Sequence, residues 1–495
     1  MSKEKTTKKM PFAPVRAKRN TTEKHMTERQ RDAQKRQREA YRAAKAKGEV
    51  KKGPVSKNRM TKLNPSKIRI TSLIVDELTR ALAVILKLDG PADQLMKAFF
   101  KSNPKLGARD RTILAEAIFF ALRHFAEISW RMKPIPAARA PKVAAFLTLL
   151  LQYGREAIPE AILGSDKGPV ENMLSLSVEK AAPEVRAGMP FWLYEKIEKQ
   201  YGDEAKKVFQ SALGGAPLDL RVNRLKATRE EVLAELEEHG VTGKVTPFSP
   251  DGLRLTDKPG LIRWPMYQEG RIDVQDEGSQ LLARLLGAKR SEMVCDFCAG
   301  AGGKTLAIGA MMRSTGRLYA FDVNEKRLAG LTPRMRRAGL SNIHPMAIRN
   351  EKDIRIKRLR GKFDRVLIDA PCSGTGTLRR NPDLRWRLNP KEIERINALQ
   401  VSILEEASKL LKEGGRLVYA TCSLLREENQ AVVEDFLSRH PEFHLVNATE
   451  VLAKQGIEMP AWQKERFGDY FVTLTHLHGT DAFFGAVLER SKSDP

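Results

Sequence analysis

"VCDFCAGAGGKT", residues 294–305, places a glycine-rich turn between a short apolar run and a segment with helical spacing. Glycines allow a tight turn and let a ligand lie against the backbone beside the N-terminus of the following helix. The turn has neither the G-x-x-x-x-G-K-[ST] spacing of a phosphate-binding P-loop nor the third glycine of the dinucleotide-binding G-x-G-x-x-G pattern. It therefore predicts the opening of an α/β domain that binds another ligand.

Strands and helices alternate through the rest of the chain. Apolar runs predict strands at "MVCDF", "RLYAFD", "HPMAI", "FDRVLIDA" and "RLVYATCS". Helical segments lie between them, among them "NEKRLAGLTPRMRRAG" and "PKEIERINALQVSILEEASKLLKEGG". This alternation predicts a Rossmann-like, doubly wound and mostly parallel sheet over residues 289–492, with ligands at the carboxyl ends of its strands.

Two aspartates indicate which ligand binds there. Asp296 ends the first predicted strand and Asp322 ends the second. Acidic residues at these places around a glycine-rich turn are typical of S-adenosyl-L-methionine sites, in which the second acid binds the ribose hydroxyls. We therefore predict an S-adenosyl-L-methionine site, to which the turn contributes Cys298, Ala299, Gly300, Ala301, Gly302, Gly303 and Lys304.

The region upstream divides into three parts. Residues 1–66 are polar, basic and almost free of large aliphatic side chains, which predicts a disordered or transiently helical arm. Residues 67–170 carry apolar side chains at helical spacing, as in "PKVAAFLTLLLQYG", which predicts an all-helical domain. Residues 171–288 mix helical segments with short strands such as "LDLRVNRL", so we expect a small α+β module.

The charge of the chain favours a polyanionic partner. The net charge is +26, and residues 1–65 hold 21 Lys and Arg against 6 Asp and Glu. Such an excess attracts nucleic acid or an anionic membrane surface. We expect the arm to contact RNA phosphates, with a purely solubilising tail as the alternative.

Other features of the sequence limit the compartment in which the protein acts. The sequence has no apolar stretch near the roughly twenty residues that span a bilayer, and the N-terminus lacks the apolar core of a secretory signal. Four cysteines in 495 residues fit a reducing compartment. We therefore expect a cytoplasmic protein without a membrane partner, acting as a monomer.

All four cysteines lie in the predicted α/β domain. Cys295 and Cys298 form a C-x-x-C, but the other two are 50 residues apart, so a structural zinc is not favoured and no metal is predicted. Cys295 is best explained as a filler of its strand. Cys372 in "DAPCSGTG" and Cys422 in "YATCSLL" end the fourth and fifth predicted strands, which are neighbours in a doubly wound sheet. Both thiols should therefore face one cleft beside the cofactor.

Methylation of a pyrimidine carbon is a reaction that requires such a thiol. C5 of cytosine is too poor a nucleophile to take a methyl group from a sulfonium unaided. A thiolate that adds to C6 makes C5 enamine-like, and after methyl transfer a base removes the C5 proton so that the thiol can leave. The residues alone do not say which cysteine attacks.

Five stretches of the chain resemble the RsmB/Sun family of RNA cytosine-C5 methyltransferases. They are "VQDEGSQ" (274–280), "DFCAGAGGKT", "DAPCSGTGTLRRNPDLRW" (369–386), "YATCSLLREEN" (419–429) and "HLHGTDAFFGAVLER" (476–490). The resemblance covers roughly residues 67–490. It implies that the α/β domain is a class I methyltransferase, that the helical domain is NusB-like and binds RNA, and that the α+β module is RRM-like.

The resemblance also implies roles for the site residues. Cys422 corresponds to the attacking cysteine, and Cys372 to the one that assists breakdown of the adduct and product release. Asp369 is expected at the target base and cofactor, and Lys304 near the reacting centre. Where the family has an aspartate for the adenine amino group, Asn350 is expected by spacing. Asp353 is the alternative.

The family loop commonly reads Cys-Ala-Ala-Pro-Gly-Gly-Lys, and Gly300-Ala301 replace its Ala-Pro here. We expect this looser turn to keep its function. "RRNPDLRWR" (379–387) is expected to contact the RNA backbone, with Trp386 either packed or stacked on a base. His476 and His478 are expected in a strand, with structural roles.

The implied function is formation of 5-methylcytosine in RNA, most specifically in 16S (small-subunit) ribosomal RNA. A tRNA cytosine-C5 methyltransferase is an alternative that the sequence leaves open. A non-catalytic RNA-binding factor for ribosome assembly is another, although Asp296, Asp322, Asp369 and both strand-end cysteines argue against it.

Overall fold

The computed structural model describes residues 68–492 of the chain. The predicted basic arm, residues 1–66, lies outside the described residues. In the described part, no helix is long and apolar enough to cross a membrane.

The N-terminal part is helical, as predicted. Its apolar stripes meet in a core of their own, in which Leu78, Leu114 and Phe146 are fully buried. The helices that build this core are α1 (Ser72–Ile85), α2 (Ala92–Ser102), α3 (Ala108–Arg123), α4 (Phe125–Arg131), α5 (Pro141–Tyr153), α6 (Glu160–Leu163) and α7 (Lys167–Ser175). Three more helices follow, α8 (Pro183–Arg186), α9 (Phe191–Tyr201) and α10 (Ala205–Leu213). Leu193, Ile197 and Val208 of α9 and α10 are buried in the core of the C-terminal domain.

A small module with a four-stranded sheet follows. Its strands lie in the order β2-β3-β1-β4, and both pairs that β1 makes are antiparallel. The Thr228 hydroxyl and the Glu231 side chain form a capping box at the start of the central helix, as the Thr cap in the sequence predicts. The elements are β1 (Leu218–Val222), α11 (Arg229–Glu238), β2 (Gly243–Val245), β3 (Gly252–Leu255), α12 (Pro265–Gln268) and β4 (Ile272–Val274).

The C-terminal domain is built on an eight-stranded sheet in the order β10-β12-β9-β8-β5-β6-β7, with β11 paired to β12. Strands β5 to β9 are parallel to one another, and β12 pairs antiparallel with β9, β10 and β11 at one side of the sheet. The strands are β5 (Met293–Asp296), β6 (Arg317–Asp322), β7 (Ile343–Ala347), β8 (Phe363–Asp369), β9 (Leu411–Thr421), β10 (Phe443–Val446), β11 (Phe471–Thr473) and β12 (Phe483–Arg490).

Helices cover both faces of this sheet. Because side chains alternate along a strand, Val366 and Ile368 of β8 enter one core and Leu367 enters the other. The helices are α13 (Glu277–Leu285), α14 (Gly303–Met311), α15 (Glu325–Ala329), α16 (Leu331–Ala338), α17 (Ile354–Lys357), α18 (Leu384–Arg387), α19 (Pro390–Ser408), α20 (Gln430–Arg439), α21 (Ala448–Ala453), α22 (Trp462–Phe467) and α23 (Thr475–His478).

Three predicted elements differ from the structure. The single helix predicted at 324–339 is two, α15 and α16, since Pro333 cannot donate a hydrogen bond to the preceding turn. The helix predicted to reach Gly415 ends at Ser408, because buried Leu410 lies in a turn and buried Leu411 starts β9. His476 and His478 lie in the short helix α23 rather than in a strand.

The segment 379–387 holds the helical part of the chain against the α/β domain. The Trp386 indole donates to Leu122 O at 2.8 Å, and the Arg123 guanidinium donates to Arg379 O at 3.1 Å. Arg385 is fully buried and donates to the carbonyls of Gly188, Ala212 and Leu378.

The arginines of this segment therefore have internal partners. Arg379 and Arg380 share the Asp481 carboxylate, and Arg380 also bonds Asp276 at 2.7 Å. The expectation that this segment contacts the RNA backbone is wrong for Arg379 and Arg385, because both are buried and bond only internal acceptors. For partly exposed Arg380 it stays a prediction. Trp386 is packed, with its ring edge-to-face against Phe125.

Replacement of Arg385 should destabilise the protein. Arg385→Ala leaves three buried carbonyls without a donor, so the free energy of unfolding should fall by about 3 kcal/mol. Urea unfolding followed by tryptophan fluorescence measures the change. Arg395→Ala, at an exposed arginine with an i,i+3 glutamate partner, is the control and should cost under about 0.5 kcal/mol. Equal losses in the two variants would contradict the joining role of Arg385.

Candidate active site

The glycine-rich turn links β5 to α14 beside the end of β6. Gly302 adopts a left-handed conformation, φ 85°, and a Cβ there would lie 2.2 Å from Leu331 Cδ1, so the turn requires glycine at this position. The Gly300 amide donates to Asp322 Oδ2 at 2.7 Å, and the Asn324 amide donates to Oδ1 at 2.6 Å. The carboxylate at the end of β6 is thereby held against the turn.

Asp296 lies beneath this turn at the end of β5. It is 1% exposed, and its Oδ2 accepts a hydrogen bond from the Thr305 hydroxyl at 2.6 Å. Its other oxygen, Oδ1, is buried and has no hydrogen-bond partner within residues 68–492. Burial raises the pKa of Asp296 to about 7, and the charges of Asp369 and Asp322 add to this effect.

Lys304, in the first turn of α14, is paired with Asp369 at the end of β8. Its Nζ lies 2.7 Å from Asp369 Oδ2. Burial opposes the ammonium charge, but Asp369 outweighs it together with Cys422 and Asp296, so the pKa of Lys304 is raised. The lysine is therefore a fixed cation at the strand ends, in electrostatic contact with Cys422.

The thiols predicted to face one cleft are close together. The Sγ atoms of Cys372 and Cys422 lie 3.3 Å apart, both thiols are free, and the Cys422 amide lies 3.4 Å from Cys372 Sγ. The Gly376 amide donates to Cys422 O at 2.9 Å. A Cβ at Gly376 would lie 2.2 Å from Ala482 O, so the loop after Cys372 approaches this closely only with glycine there.

A buried glutamate connects the turns that follow the two cysteines. Glu428 is 0% exposed, and its Oε1 accepts the Ser373 amide at 2.8 Å and Gln400 Nε2 at 3.1 Å. The hydroxyls of Ser373 and Ser423 both donate to Oε2. Each cysteine is thus followed by a serine bonded to the same carboxylate.

Glu428 is a residue that sequence reasoning missed. The available signal was the repeated Cys-Ser in "PCSG" and "TCSL", since two serines at neighbouring strand ends need a common buried acceptor. "REEN" supplies that acceptor from its second glutamate, while the first, Glu427, is half-exposed and paired with Lys196.

The remaining predicted residues are the cysteines at the glycine-rich turn and the two candidates for the adenine contact. Cys295 is fully buried, as expected of a strand filler, and burial raises its pKa and that of Cys298. Asp353 caps α17 and bonds the Arg355 side chain, which holds its pKa below the usual range. The side chain of exposed Asn350 accepts only a local bond from the Lys352 amide among the contacts of residues 68–492, so Asn350 stays the better prediction for the adenine contact.

The two histidines have structural contacts. The His478 ring is buried between the Leu474 backbone and the Gln463 side chain, and burial lowers its pKa to about 4. His476 bonds Glu204 at 2.9 Å. Within residues 68–492, no group of three or more His, Cys, Asp or Glu side chains is placed to hold a metal ion.

The sheet order and the loops at its strand ends define the class of the domain as a Rossmann-like methyltransferase. Residues 283–489 match the family described as 16S rRNA methyltransferase RsmB/F, and residues 189–260 match the ferredoxin-like domain of RsmF/B-like methyltransferases. The chain belongs to the RsmB/F family, as its motifs predict.

Named relatives match most of the chain. The probable ribosomal RNA small subunit methyltransferase B of Bacillus subtilis (strain 168) is 30% identical over 440 residues, which cover 82% of this chain and 96% of the relative. Ribosomal RNA small subunit methyltransferase B of Klebsiella pneumoniae (strain 342) is 31% identical, over 75% and 91% of the two chains. The crystal structure of PH0851 has a TM-score of 0.72 at 27% identity and covers 86% of this chain and 100% of that one.

Replacement of Asp296 should change how stability depends on pH. Because the folded pKa of about 7 lies above the unfolded value, the folded state holds the proton more tightly. The stability that Asp296 adds to the folded state is complete below about pH 4 and is lost as the pH rises through about 7. The stability of the wild type relative to Asp296→Asn should therefore fall over this range, by up to about 1.4 kcal/mol per pH unit.

Urea unfolding at several pH values measures this difference. Asp203→Asn, at an exposed aspartate, is the matched control and should run parallel to the wild type. If the free energy of unfolding of the wild type and of Asp296→Asn depended on pH in the same way, the buried carboxyl of Asp296 would not titrate as described.

Proposed function

We propose that this protein is an S-adenosylmethionine-dependent RNA cytosine-C5 methyltransferase that modifies small-subunit ribosomal RNA in the cytoplasm. The observation that carries the proposal is the pair of free thiols 3.3 Å apart at the ends of β8 and β9, beside the Lys304–Asp369 pair. Methylation of an amine needs no thiol, whereas methylation of C5 needs a nucleophile at C6. The substrate class is supported by the names of the relatives, which are small-subunit methyltransferases.

The residues around the glycine-rich turn fit the cofactor. Asp322 stands at the end of β6, where an acid can accept from ribose hydroxyls. The buried Oδ1 of Asp296 is an acceptor without a protein donor in the described part of the chain. When bound, S-adenosylmethionine supplies an electrophilic methyl group on its sulfonium. Cys298 to Lys304 would line the turn against it, with Asn350 toward the adenine and Asp369 toward the reacting centre.

The thiols would act in turn on the target base, which must leave its stack to reach them. Cys422 attacks C6 as the thiolate, and the Lys304 ammonium faces the sulfur that carries this charge. The new C6–S bond makes C5 electron-rich, so that C5 can accept the methyl group. Loss of the C5 proton then returns electrons to the ring and expels Cys422, and Cys372 assists this breakdown.

Substitution of each cysteine should separate the two steps. Cys422→Ala should abolish transfer of labelled methyl groups to RNA, because no adduct forms. Cys372→Ala should trap a covalent RNA–protein adduct, visible as a band that survives denaturing electrophoresis. Cys295→Ala, a buried filler, is the matched thiol control and should form no lasting adduct. Normal turnover by Cys372→Ala together with an adduct in Cys422→Ala would reverse the roles.

The substrate is tested in cells. Bisulfite sequencing of total RNA, with and without the gene, should show loss of a 5-methylcytosine in small-subunit ribosomal RNA. Loss confined to tRNA would contradict the proposed substrate class but keep the chemistry. S-adenosylmethionine binding without methylation of any RNA would contradict both, and would favour a non-catalytic assembly factor.

A further inference from the structure

The carboxylate of Glu428 is buried without a cationic partner. Within residues 68–492, no lysine, arginine or histidine forms an ion pair with it, and its neighbours are the uncharged donors of Ser373, Ser423 and Gln400. The Tyr419 hydroxyl donates to the backbone carbonyl of the same residue at 2.7 Å. Burial of a charge costs far more than burial of a neutral amide. A neutral amide has one acceptor oxygen, whereas the two oxygens of the carboxylate accept from all four of these donors.

The bonds of Glu428 fix the backbone directly after each thiol. Ser373 donates with both its amide and its hydroxyl, and Ser423 donates with its hydroxyl. Thr375 lies between the serines, 3.1 Å and 3.2 Å from their hydroxyl oxygens, and accepts the Leu424 amide. Gln400 extends the network to Pro371 O, directly before Cys372. A shift of either turn would break bonds in the other.

We propose that Glu428 is the positioning residue of the two-thiol site: its carboxylate fixes the separation of the Cys372 and Cys422 sulfurs, and its charge lies on the Cys372 side of the pair. This inference rests on the proposed function for its catalytic consequence. The positioning of the thiols themselves can be measured without RNA.

The electrostatic surroundings of the two thiols are unequal. The hydrogen bond shared with Cys422, burial, and the charges of Cys422 and Glu428 raise the pKa of Cys372 well above its usual range. The buried phenol of Tyr419 also faces Cys372. Lys304, itself paired with Asp369, faces Cys422. The Glu428 carboxylate therefore lies on the Cys372 side of the pair, and the Lys304 ammonium lies on the Cys422 side.

A protonated Cys372 can complete the breakdown of the adduct. As the C6–S bond breaks, its electron pair stays on the Cys422 sulfur, which takes the proton of Cys372 across the 3.3 Å gap. The C5 proton passes to the Cys372 sulfur, and the electrons of the C5–H bond form the C5–C6 double bond. Cys372 ends protonated as it began, and Cys422 releases its proton to solvent before the next attack.

Glu428→Gln tests the role of the charge. In the cofactor-free, RNA-free full-length protein, the pH profile of Cys372 alkylation by iodoacetamide, resolved by peptide mass spectrometry, should move to lower pH. Glu428→Asp keeps the charge and should leave the midpoint of Cys372 near that of the wild type. Glu427→Gln, at the adjacent half-exposed glutamate, is the matched control and should behave as the wild type.

Catalysis gives the second readout. Glu428→Gln should lower kcat at least about tenfold, leave KM for RNA within about twofold, and accumulate the covalent adduct at steady state. Retained S-adenosylmethionine binding shows that the variant is folded. If Glu428→Gln does not fold, Ser373→Ala and Ser423→Ala replace it, since each removes one donor and keeps the charge; each should lower kcat without moving the Cys372 midpoint.

The outcomes separate this inference from the proposed function. An unchanged Cys372 profile in Glu428→Gln, or an equal shift in Glu427→Gln, would overturn the role of the charge. Serine variants with wild-type kcat would overturn the role of the bonds. A shifted alkylation profile in a protein that methylates no RNA would support the positioning of the thiols and contradict the proposed function alone.

Discussion

The arrangement of the site depends on one buried carboxylate, that of Glu428, to which the turns after both cysteines are hydrogen-bonded. Parallel β8 and β9 bring two loops to one edge of the sheet, but strand pairing alone leaves the loops free to take many conformations. A shared acceptor removes that freedom, because each serine hydroxyl can reach Glu428 only when its own turn and the neighbouring turn are both in place. The 3.3 Å separation of the thiols follows from this constraint.

The same constraint explains the small residues of the motifs. Gly376 is required because its backbone lies against Ala482 O and Cys422 O. Ser373, Ser423 and Thr375 are short enough to bond one another within a closed space, and the two serines also bond the carboxylate. Together these residues make the paired cysteine motifs a single unit, although 50 residues of chain separate the two sulfurs.

The parts of the fold that were predicted correctly have strong local signals. Apolar runs in the sequence predict the strands β5 to β9. The stretch "TREEVLAELEEHG" predicts a helix together with its N-terminal cap. Errors arose where tertiary packing overrides local preference. Leu410 and Leu411 continue a helical pattern, but Leu410 is buried in the turn before β9 and Leu411 is the first residue of that strand. The arginines of "RRNPDLRWR" resemble an RNA-binding loop in sequence but bond internal carbonyls and carboxylates.

The residues of the candidate site also divide into those that the sequence predicts and one that it does not. The proximity of Cys372 and Cys422 followed from strand order, because neighbouring parallel strands end at the same edge of the sheet. The Lys304–Asp369 pair joins a helix start to a strand end, and the resemblance placed both residues at the reacting centre. Glu428 could not be found this way, since only its burial distinguishes it from the adjacent Glu427.

The most direct test of the account is the identity of the sulfur that bonds the base. An RNA carrying 5-fluorocytidine at the target position stalls the reaction after methyl transfer, because fluorine cannot leave C5 as a proton does, and so retains the covalent adduct. Peptide mapping of that adduct by mass spectrometry should find the nucleotide on Cys422. A nucleotide on Cys372, or no adduct in an active enzyme, would contradict the account.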